Sequence, residues 1–421
     1  MKKCVLGDVA DVKVSGVDKK TNEGEIPVRL CNYTDVYYNW AVTSEKYDGL
    51  MRASAKPDEI SKFKIKKGQV ALTKDSETRD DIGIPTYIAD DFDDVLLGYH
   101  CALISPDAKE LSGKYLNALL RTKYVKDFFA NNAGGSGQRY YLSESSIKEL
   151  PLFLPDITVQ RKIGTFLSTI DRKIALNRKR IATLEAMAKE IYDYWFVQFD
   201  FPDAHGRPYK SSGGAMVYNP DLKREIPKGW EVKALGEIST FRNGINYEKS
   251  EIGDAEYRIV NVRNISESTF LIRHEDLDKI ILRQTLADRF LLRSEDIIVA
   301  RSGTPGATRI ILNPERTIFC GFIICCSPIQ KAHQILLMQR LQSIQESLLD
   351  TSGGSILKNV SQDTLKSIQV ELPPDDVLRQ FNDTILTVIR SIDNAQRSVV
   401  EMSDLRDFLL PLLMNGQVKV G

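Results

Sequence analysis

Residues 160–195 read QRKIGTFLSTIDRKIALNRKRIATLEAMAKEIYDYW, and the spacing of their apolar side chains predicts one long helix. These side chains follow one another at alternating steps of four and three, which is the heptad spacing of a coiled-coil seam. The seam positions are Ile163, Leu167, Ile170, Ile174, Ile181, Leu184, Ala188, Ile191 and Trp195, with the polar Asn177 as an interruption. A helix over 163–195 is about 50 Å long at about 1.5 Å per residue.

A second stretch with the same spacing lies near the end of the chain, between residues 381 and 413. Its seam positions are Phe381, Ile385, Val388, Ile392, Ala395, Val399, Met402, Leu409 and Leu413, with the charged Arg406 as an interruption. Because so narrow a seam needs a helical partner, we expect the two stretches to pair with each other. In the alternative, each helix only covers its own domain, but a helix packed on a core usually shows a broader apolar stripe.

The two helical stretches belong to a repeat of about half the chain, with matching positions about 220 residues apart. The matches include Leu6-Gly7-Asp8-Val9 with Leu235-Gly236-Glu237-Ile238, Gly134-Gly135-Ser136 with Gly353-Gly354-Ser355, and Ile170-Asp171 with Ile392-Asp393. Several weak matches in a single order are much harder to obtain by chance than any one of them. We therefore infer an internal duplication.

Before each long helix the chain holds short apolar runs bounded by Gly, Pro, Asn and Asp, such as Val70–Thr73 and Ile297–Ala300. Such runs are typical of the strands of a mixed α/β domain. The segment between the repeats has no persistent period, which predicts an ordered connection on the surface. The predicted organisation is a first module at 1–155, a long helix at 156–198, a connection at 199–229, a second module at 230–373 and a long helix at 374–421.

The charge of the chain is balanced in total and uneven in detail. Its 421 residues include 57 Lys and Arg against 57 Asp and Glu, so the formal net charge is zero. This total gives no support to nucleic-acid binding by overall charge, but local patches matter more than the sum. Residues 160–180 carry seven Lys or Arg and a single Asp. That patch is either the solvated flank of a coiled coil or a contact surface for phosphates or an acidic partner.

Signatures of catalysis are missing from the sequence. It has no G-x-x-x-x-G-K-[ST] phosphate loop, no G-x-S-x-G elbow, no H-E-x-x-H pair and no Asn-Pro-Pro-aromatic tetrad of base methyltransferases. Its six cysteines and four histidines are not spaced as a zinc site. We therefore expect a binding protein with no active site, metal or cofactor of its own. The acidic runs Asp80-Asp81 and Asp90–Asp94 leave a metal-dependent nuclease as an alternative, although a solvated loop explains them more simply.

The sequence also bears on the compartment. It shows no signal peptide and no apolar run of the length that crosses a membrane. Cysteines this sparse do not form a disulfide scaffold. We expect a cytoplasmic protein without membrane contact.

Two loops in each module are rich in polar side chains, and all but residues 73–79 also contain glycine: residues 73–79 correspond to 301–306, and residues 134–141 to 353–359. Glycine lets backbone N–H groups approach a phosphate, and Arg, Lys, Gln and Asn can bond to base edges, so these loops predict contacts to nucleic acid. Ordinary strand-to-helix turns are the alternative. With two matching strand ends included, the candidate contact residues are Asn32, Tyr33, Lys74, Arg79, Gln138, Arg139, Tyr140, Arg263, Asn264, Arg301, Ser302, Thr304, Lys358 and Asn359.

In these features the chain resembles the specificity subunit of type I restriction–modification enzymes. The resemblance covers essentially the whole chain. Besides the duplicated starts and the Gly-Gly-Ser loops, it is carried by Leu150–Pro155, Gln160–Ile163, Ile170–Ile174, Tyr192–Phe196, Phe201-Pro202 and Glu225–Glu231. Each motif is weak alone, and their order and duplication make the set specific.

The resemblance implies that each module is a target recognition domain that reads one half of a bipartite site on double-stranded DNA. It implies that the helices form an antiparallel coiled coil, which spaces the domains and docks methyltransferase subunits, in two copies. Those subunits would supply adenine methylation and S-adenosylmethionine, and separate motor–nuclease subunits would use ATP and Mg. Because the two modules match poorly between their landmarks, the target is expected to be asymmetric.

A coiled-coil adaptor that assembles other subunits without reading bases is the alternative function. Steep loss of binding as salt rises distinguishes a DNA reader from such an adaptor. Under the leading hypothesis, we expect Arg139 and Lys358 to contact phosphates or bases, and Leu167→Asp to break the helix pair.

Overall fold

The structure is a computed structural model that describes residues 2–137, 139–247, 253–266, 268, 270–351 and 360–420. It is mixed α/β with two long helices, which confirms the predicted fold class. No helix among these residues has the length and apolar character needed to cross a membrane. The contacts divide the chain into unit 1, residues 1–177 with 398–421, and unit 2, residues 178–397.

Unit 1 contains the first repeat. Its strands are β1 (Lys2–Val5), β2 (Ala10–Val14), β3 (Ile26–Cys31), β4 (Ala41–Val42), β5 (Met51–Ala55), β6 (Val70–Thr73), β7 (Asp75–Ser76), β8 (Pro85–Ile88), β9 (Val95–Leu97), β10 (Cys101–Pro106), β11 (Gly134–Ser136), β12 (Arg139–Tyr141) and β13 (Pro151–Leu154). Its helices are α1 (Leu6–Val9), α2 (Tyr33–Tyr37), α3 (Pro57–Phe63), α4 (Gly113–Leu119), α5 (Lys123–Asn132), α6 (Glu144–Lys148) and the first part of α7 (Ile157–Tyr192). Its sheets have the strand orders β2-β10-β6-β8-β4, β5-β3-β9, β11-β12-β7 and β1-β13.

Unit 2 contains the second repeat. Its strands are β14 (Met216–Asn219), β15 (Arg224–Pro227), β16 (Glu231–Ala234), β17 (Ser239–Asn243), β18 (Ala255–Val260), β19 (Asp278–Leu282), β20 (Ile297–Ala300), β21 (Thr308–Ile310), β22 (Thr317–Phe319), β23 (Ile323–Pro328) and β24 (Gln369–Leu372). Its helices are α8 (Leu235–Ile238), α9 (Val262–Ser266), α10 (Gln284–Ala287), α11 (Gln334–Thr351), α12 (Gln362–Lys366) and the first part of α13 (Asp375–Met414). Its sheets have the orders β17-β23-β20-β21, β19-β18-β22, β16-β24 and β14-β15.

The two repeats share one topology, which confirms the duplication inferred from the sequence. The order β2-β10-β6-β8 in unit 1 corresponds to β17-β23-β20-β21 in unit 2. The strand β3 pairs antiparallel with β5 and parallel with β9. Its counterpart β18 likewise pairs antiparallel with β19 and parallel with β22. Strand directions as well as strand order are therefore repeated.

The Leu-Gly-acidic start of the first repeat forms a single helical turn, α1. Leu6 is buried, and its N–H donates to the C=O of Leu150 at 2.9 Å. The Asp8 carboxylate accepts the N–H three residues earlier at 3.0 Å, which satisfies a backbone donor at the start of the turn. Gly7 faces Lys148, whose Cβ would lie 3.1 Å from a Cβ at position 7.

Unit 2 repeats the same contacts in α8. The N–H of Leu235 donates to the C=O of Ile368 at 2.8 Å, and Glu237 accepts the N–H three residues earlier at 2.6 Å. A Cβ at Gly236 would lie 3.0 Å from the Cβ of Lys366. The motif thus needs leucine for the core, glycine for a close approach and an acid for the backbone donor.

The connection between the repeats is ordered, as the sequence indicates. Its strands β14 and β15 form an antiparallel pair. The rings of Phe199 and Phe201 lie 5.4 and 5.3 Å from the ring of Trp230, measured between centroids. These buried aromatic side chains attach the segment to the core of unit 2.

In unit 1 the first part of α7 packs against the last part of α13. Asn177 Nδ2 donates to Ser398 Oγ at 3.0 Å, and the Arg406 guanidinium donates to the Asp171 carboxylate at 3.4 Å. Because the earlier residue of α7 contacts the later residue of α13, the two helices are antiparallel. Both interruptions of the seams, Asn177 and Arg406, have polar partners on the other helix.

The seam residues also pack against the modules. In unit 1, Ile163 and Leu167 share a hydrophobic cluster with Leu410 and Leu413 and with side chains of the sheets. In unit 2, Ile181 and Leu184 pack against a cluster that contains residues of α13 and of the second module. The predicted seam positions Ile163, Leu167, Ile170, Ile174, Ile385, Val388 and Ile392 are buried, and Ile181, Leu184 and Val399 are half-buried.

The two units therefore have boundaries inside the long helices, whereas the sequence analysis treats each long helix as a segment of its own. The helices begin near the predicted residues 156 and 374, but the contacts divide each helix between the units instead of setting it apart from them. The physical reason is that the apolar stripe of each helix completes the core of a module as well as pairing with the other helix.

Leu167→Asp is expected to destabilise unit 1, because the Leu167 side chain is fully buried in its core. Loss of such a side chain costs about 2–5 kcal/mol, and an unpaired buried carboxylate adds a desolvation cost. Urea unfolding should show a free energy of unfolding lower by at least about 2 kcal/mol. Leu176→Asp is the matched control, since Leu176 lies on the same helix and is 53% exposed. Equal losses in the two variants would contradict the role given to the seam.

Candidate nucleic-acid interface

In unit 1 the loop after β6 lies against the start of β10 and the end of β12. The N–H of Lys74 donates to the C=O of His100 at 2.9 Å, and the N–H of Leu142 donates to the C=O of Lys74 at 2.7 Å. Strand β7, which continues the loop, also pairs with β12. The two loops predicted in this module, 73–79 and 134–141, are thereby brought together.

Asp75 anchors the polar side chains at this point. Its Oδ2 atom lies 3.1 Å from Lys74 Nζ and 3.9 Å from a guanidinium nitrogen of Arg139, and it is hydrogen-bonded to His100 Nδ1. Burial raises the pKa of Asp75, but the hydrogen bonds from His100 and Lys74 outweigh it and leave the pKa below its ordinary value. An ionised carboxylate therefore orients three side chains that can face an anion or a base.

Cations and aromatic rings surround this anchor. The Arg139 side chain is 66% exposed. The Arg79 guanidinium lies 5.0 Å from the centroid of the Tyr140 ring, and Lys19 Nζ lies 5.4 Å from that of Tyr99. Exposed cations attract phosphates, and aromatic faces accept stacked bases. We name this set the unit 1 basic surface: Lys19, Lys74, Arg79, Tyr99, His100, Arg139 and Tyr140.

The sequence did not single out Lys19, Tyr99 or His100, which lie outside the glycine loops. The ring of His100 is 3.9 Å from that of Tyr99, so the three residues join the surface as one group. The internal repeat did not mark this group, because residues 98–100 (Gly-Tyr-His) and 320–322 (Cys-Gly-Phe) share no residue in register.

Unit 2 repeats the backbone of this surface with different side chains. The N–H of Arg301 donates to the C=O of Phe322 at 2.9 Å, and the N–H of Val360 donates to the C=O of Arg301 at 3.1 Å. Arg301 thus takes the place of Lys74, and Phe322 takes that of His100. The correspondence predicted between these two loops is confirmed at this point.

The rest of the unit 2 loop supplies smaller polar groups. Ser302 and Thr304 are half-buried, and Thr304 Oγ1 lies 3.3 Å from Ser266 Oγ on α9. Gly303 has a φ of 79°, a left-handed conformation that favours glycine. The predicted contact residues Gln138, Lys358 and Asn359 lie outside the described residues.

Asn32 and Asn264 are placed differently from the prediction that they contact a ligand. They are only 7% and 5% exposed. The Asn264 Oδ1 atom accepts the N–H of Asn261 at 2.8 Å, and a Cβ at Gly98 would come within 2.6 Å of Asn32 Oδ1. Asn264 therefore holds the turn that follows β18, and both amides offer little surface to a ligand in this structure. As DNA contacts, Asn32 and Asn264 stay predictions.

Tyr33 and Arg263, which follow these turns, have more surface. The Tyr33 ring is half-buried and stacks on Tyr37 with centroids 5.6 Å apart. The Arg263 side chain is 55% exposed and forms an ion pair with Asp278. DNA contact by Tyr33 and by Arg263 stays a prediction.

The acidic runs have partners within their own module. Asp90 accepts the N–H of Ser44 at 2.8 Å, and Asp94 accepts the Tyr47 hydroxyl at 2.9 Å. Over the described ranges, no three His, Cys, Asp or Glu side chains are grouped so as to hold a metal ion. Asp90 and Asp94 therefore each bond to residues of the segment 44–47.

The basic stretch of α7 is on the surface of the helix. Arg172, Lys173 and Arg178 are all exposed. The structure is compatible with both interpretations of this stretch, a solvated flank and a contact surface for phosphates or an acidic partner.

Known proteins resemble this chain along most of its length. It is 27% identical over 312 residues to the MjaIX specificity subunit of Methanocaldococcus jannaschii, covering 73% of this chain and 69% of that one. It is 22% identical over 408 residues to the HindI specificity subunit of Haemophilus influenzae, covering 85% and 88%. The crystal structure of a type I restriction–modification S subunit from M. genitalium has a similar fold, with a TM-score of 0.59, 16% identity and coverage of 98% and 95%.

A family model covers both repeats. The model described as "Type I restriction modification DNA specificity domain" matches residues 1–186 and 227–401. These two ranges contain both α/β modules and most of both long helices. The chain therefore belongs to the type I restriction–modification DNA specificity family.

Proposed function

We propose that this chain is the DNA-reading subunit of a type I restriction–modification complex, in which each module reads one half of a bipartite, asymmetric site on double-stranded DNA. The proposal is carried by the equivalent positions of Lys74 and Arg301. Each is held by the same pair of backbone hydrogen bonds, one of them to His100 in unit 1 and to Phe322 in unit 2. Base choice depends on the donors, acceptors and apolar groups that a protein presents in the groove. One backbone frame with two sets of side chains therefore suits two unlike half-sites.

Within unit 1 the side chains differ in how far they reach into solvent. Lys74 and His100 bond directly to Asp75 and are 19% and 25% exposed, whereas Arg139 contacts His100 at 3.0 Å and is 66% exposed. Restrained groups suit base edges, whose positions are fixed, and extended cations suit phosphates, which position the protein on the duplex. We therefore assign Arg139 and Arg79 to phosphates and leave base reading to the restrained groups.

We assign no catalysis to the chain. In the proposed complex, methyltransferase subunits in two copies supply S-adenosylmethionine chemistry, and motor–nuclease subunits use ATP and Mg. The long helices expose Leu176, Met187 and Phe408, apolar side chains of the kind that a docked subunit covers. We propose these helices as the docking region for the methyltransferase subunits.

An adaptor without DNA contacts is the second candidate, and the unit 1 basic surface argues against it. A purely structural adaptor has no need of exposed cations and aromatic rings grouped around a buried carboxylate. Measured DNA binding that falls steeply between low and physiological salt separates the two functions.

Selection from random double-stranded DNA should recover a split motif. The full chain is mixed with the methyltransferase subunit of its own source, and bound DNA is sequenced. We expect two short specified blocks with an unspecified spacer, because two modules with different side chains read separate half-sites. The methyltransferase subunit alone is the control and should enrich no such motif. Recovery of no motif, or of one continuous block, would refute the proposal.

Arg139→Ala should weaken binding of the selected DNA without changing the motif. Loss of one phosphate contact lowers the slope of log binding constant against log salt by about 1. Lys123→Ala is the matched control, because Lys123 is an exposed cation of the same unit whose side chain is 87% exposed on α5. A relaxed preference at one base position would show instead that Arg139 reads a base. Unchanged affinity and slope would remove Arg139 from the interface.

A further inference from the structure

Phe322 is an aromatic side chain left exposed beside the unit 2 loop. It directly precedes β23 and is 63% exposed, while its neighbours Ile323 and Ile324 are buried. It belongs to none of the hydrophobic clusters that the described residues form. A single exposed apolar side chain is ordinary on a protein surface. A functional role for Phe322 must therefore be argued from its position next to the candidate DNA-binding loop.

The position is set by the backbone. The C=O of Phe322 accepts the N–H of Arg301 at 2.9 Å, which joins the backbone that carries the ring to the backbone of the loop. The equivalent bond in unit 1 joins Lys74 to His100, whose side chain is 25% exposed and tied to Asp75. The same site on the two modules therefore presents a polar ring in unit 1 and an apolar ring in unit 2.

A polar amide lies against the residue that precedes Phe322. The N–H of Gly321 donates to the C=O of Ile245 at 2.8 Å, and the exposed Asn246 occupies the space where a Cβ at position 321 would be. Glycine at 321 thus lets Asn246 approach the chain immediately before Phe322. Asn246 and the backbone of Arg301 thus lie against the same short stretch of chain, residues 321 and 322, that carries the exposed ring.

We propose that Phe322 determines specificity in the second half-site by contacting the C5-methyl group of a thymine. The proposal deepens the proposed function and rests on it. The thymine methyl is the apolar group that base pairs present in the major groove, and phenylalanine is one of the side chains that contact it. The neighbouring Asn246 is of the type that bonds to an adenine edge, which suits a T·A pair at or next to this contact. Insertion of the ring between base steps is the other use of an exposed phenylalanine, and it requires a kinked duplex.

The test uses the full chain with its methyltransferase subunit and DNA that carries the selected motif. Each thymine of the second half-site, on either strand, is replaced in turn by deoxyuridine, which removes only the methyl group. At one position the wild-type protein should lose affinity by about fourfold, the effect of exposing one methyl-sized apolar group. Phe322→Ala should bind normal DNA more weakly by at least about the same factor and should no longer respond to deoxyuridine at that position.

Ile329→Ala is the matched control. Ile329 is 65% exposed and follows the opposite end of β23, so its loss removes a similar apolar surface away from Arg301. This variant should bind like the wild type and keep the response to deoxyuridine. Both variants should unfold at the wild-type temperature, since an exposed side chain contributes little to the core. That result would show that Phe322→Ala acts on binding and not on stability.

Several outcomes would overturn the inference while leaving the proposed function intact. They are a split motif whose second half-site contains no thymine, a wild-type protein indifferent to every deoxyuridine, and a Phe322→Ala variant that still responds to it. Weakened binding of Phe322→Ala to all DNAs alike would assign the ring to insertion between bases. Failure to recover any split motif would instead refute the proposed function itself.

Discussion

Each long helix of this protein carries a narrow apolar stripe, and that stripe must be kept from water along its whole length. The first part of α7 and the last part of α13 bury theirs in the core of unit 1, where Leu167 and Leu413 share one cluster. The remaining parts bury theirs in unit 2, where Leu184 packs against the cluster that contains Ile385. The core of each unit therefore contains side chains from both α7 and α13. The sheets, and the loops at their ends, are built on cores that depend on this burial.

The polar residues on the seams add direction and register to this burial. An apolar stripe can slide by a heptad at little cost, whereas a buried polar group that loses its partner is costly. Asn177 has Ser398 as its partner, and Arg406 has Asp171. The Arg406 guanidinium also lies 5.0 Å from the Trp40 ring, which ties α13 to the first module. A helix pair shifted by one heptad would separate these groups. They therefore favour the observed antiparallel register over the shifted ones.

Duplication explains how one architecture comes to offer two different surfaces. The elements that maintain the fold are repeated down to individual hydrogen bonds, as in the Leu-Gly-acidic turns at Leu6 and Leu235. The elements at the ends of the strands are repeated in backbone only. Side chains there contribute little to the core, so Lys74 and Arg301, or His100 and Phe322, can differ without loss of stability. Recognition can therefore diverge between the modules while folding is conserved within them.

The long helices, the duplication, the strand-rich modules and the family resemblance were determined by the sequence alone, because periodicity and turn residues are properties of neighbouring positions. The site was predicted only in part. Lys74 and Arg139 were found through their polar loops at strand ends, but burial cannot be read from residue type, so nothing in the sequence marked Asn32 and Asn264 as buried amides. The unit 1 basic surface and its counterpart beside Phe322 were decided by the tertiary structure. Pairing of strands far apart in the chain brings their residues together, and no local pattern encodes which strand ends meet.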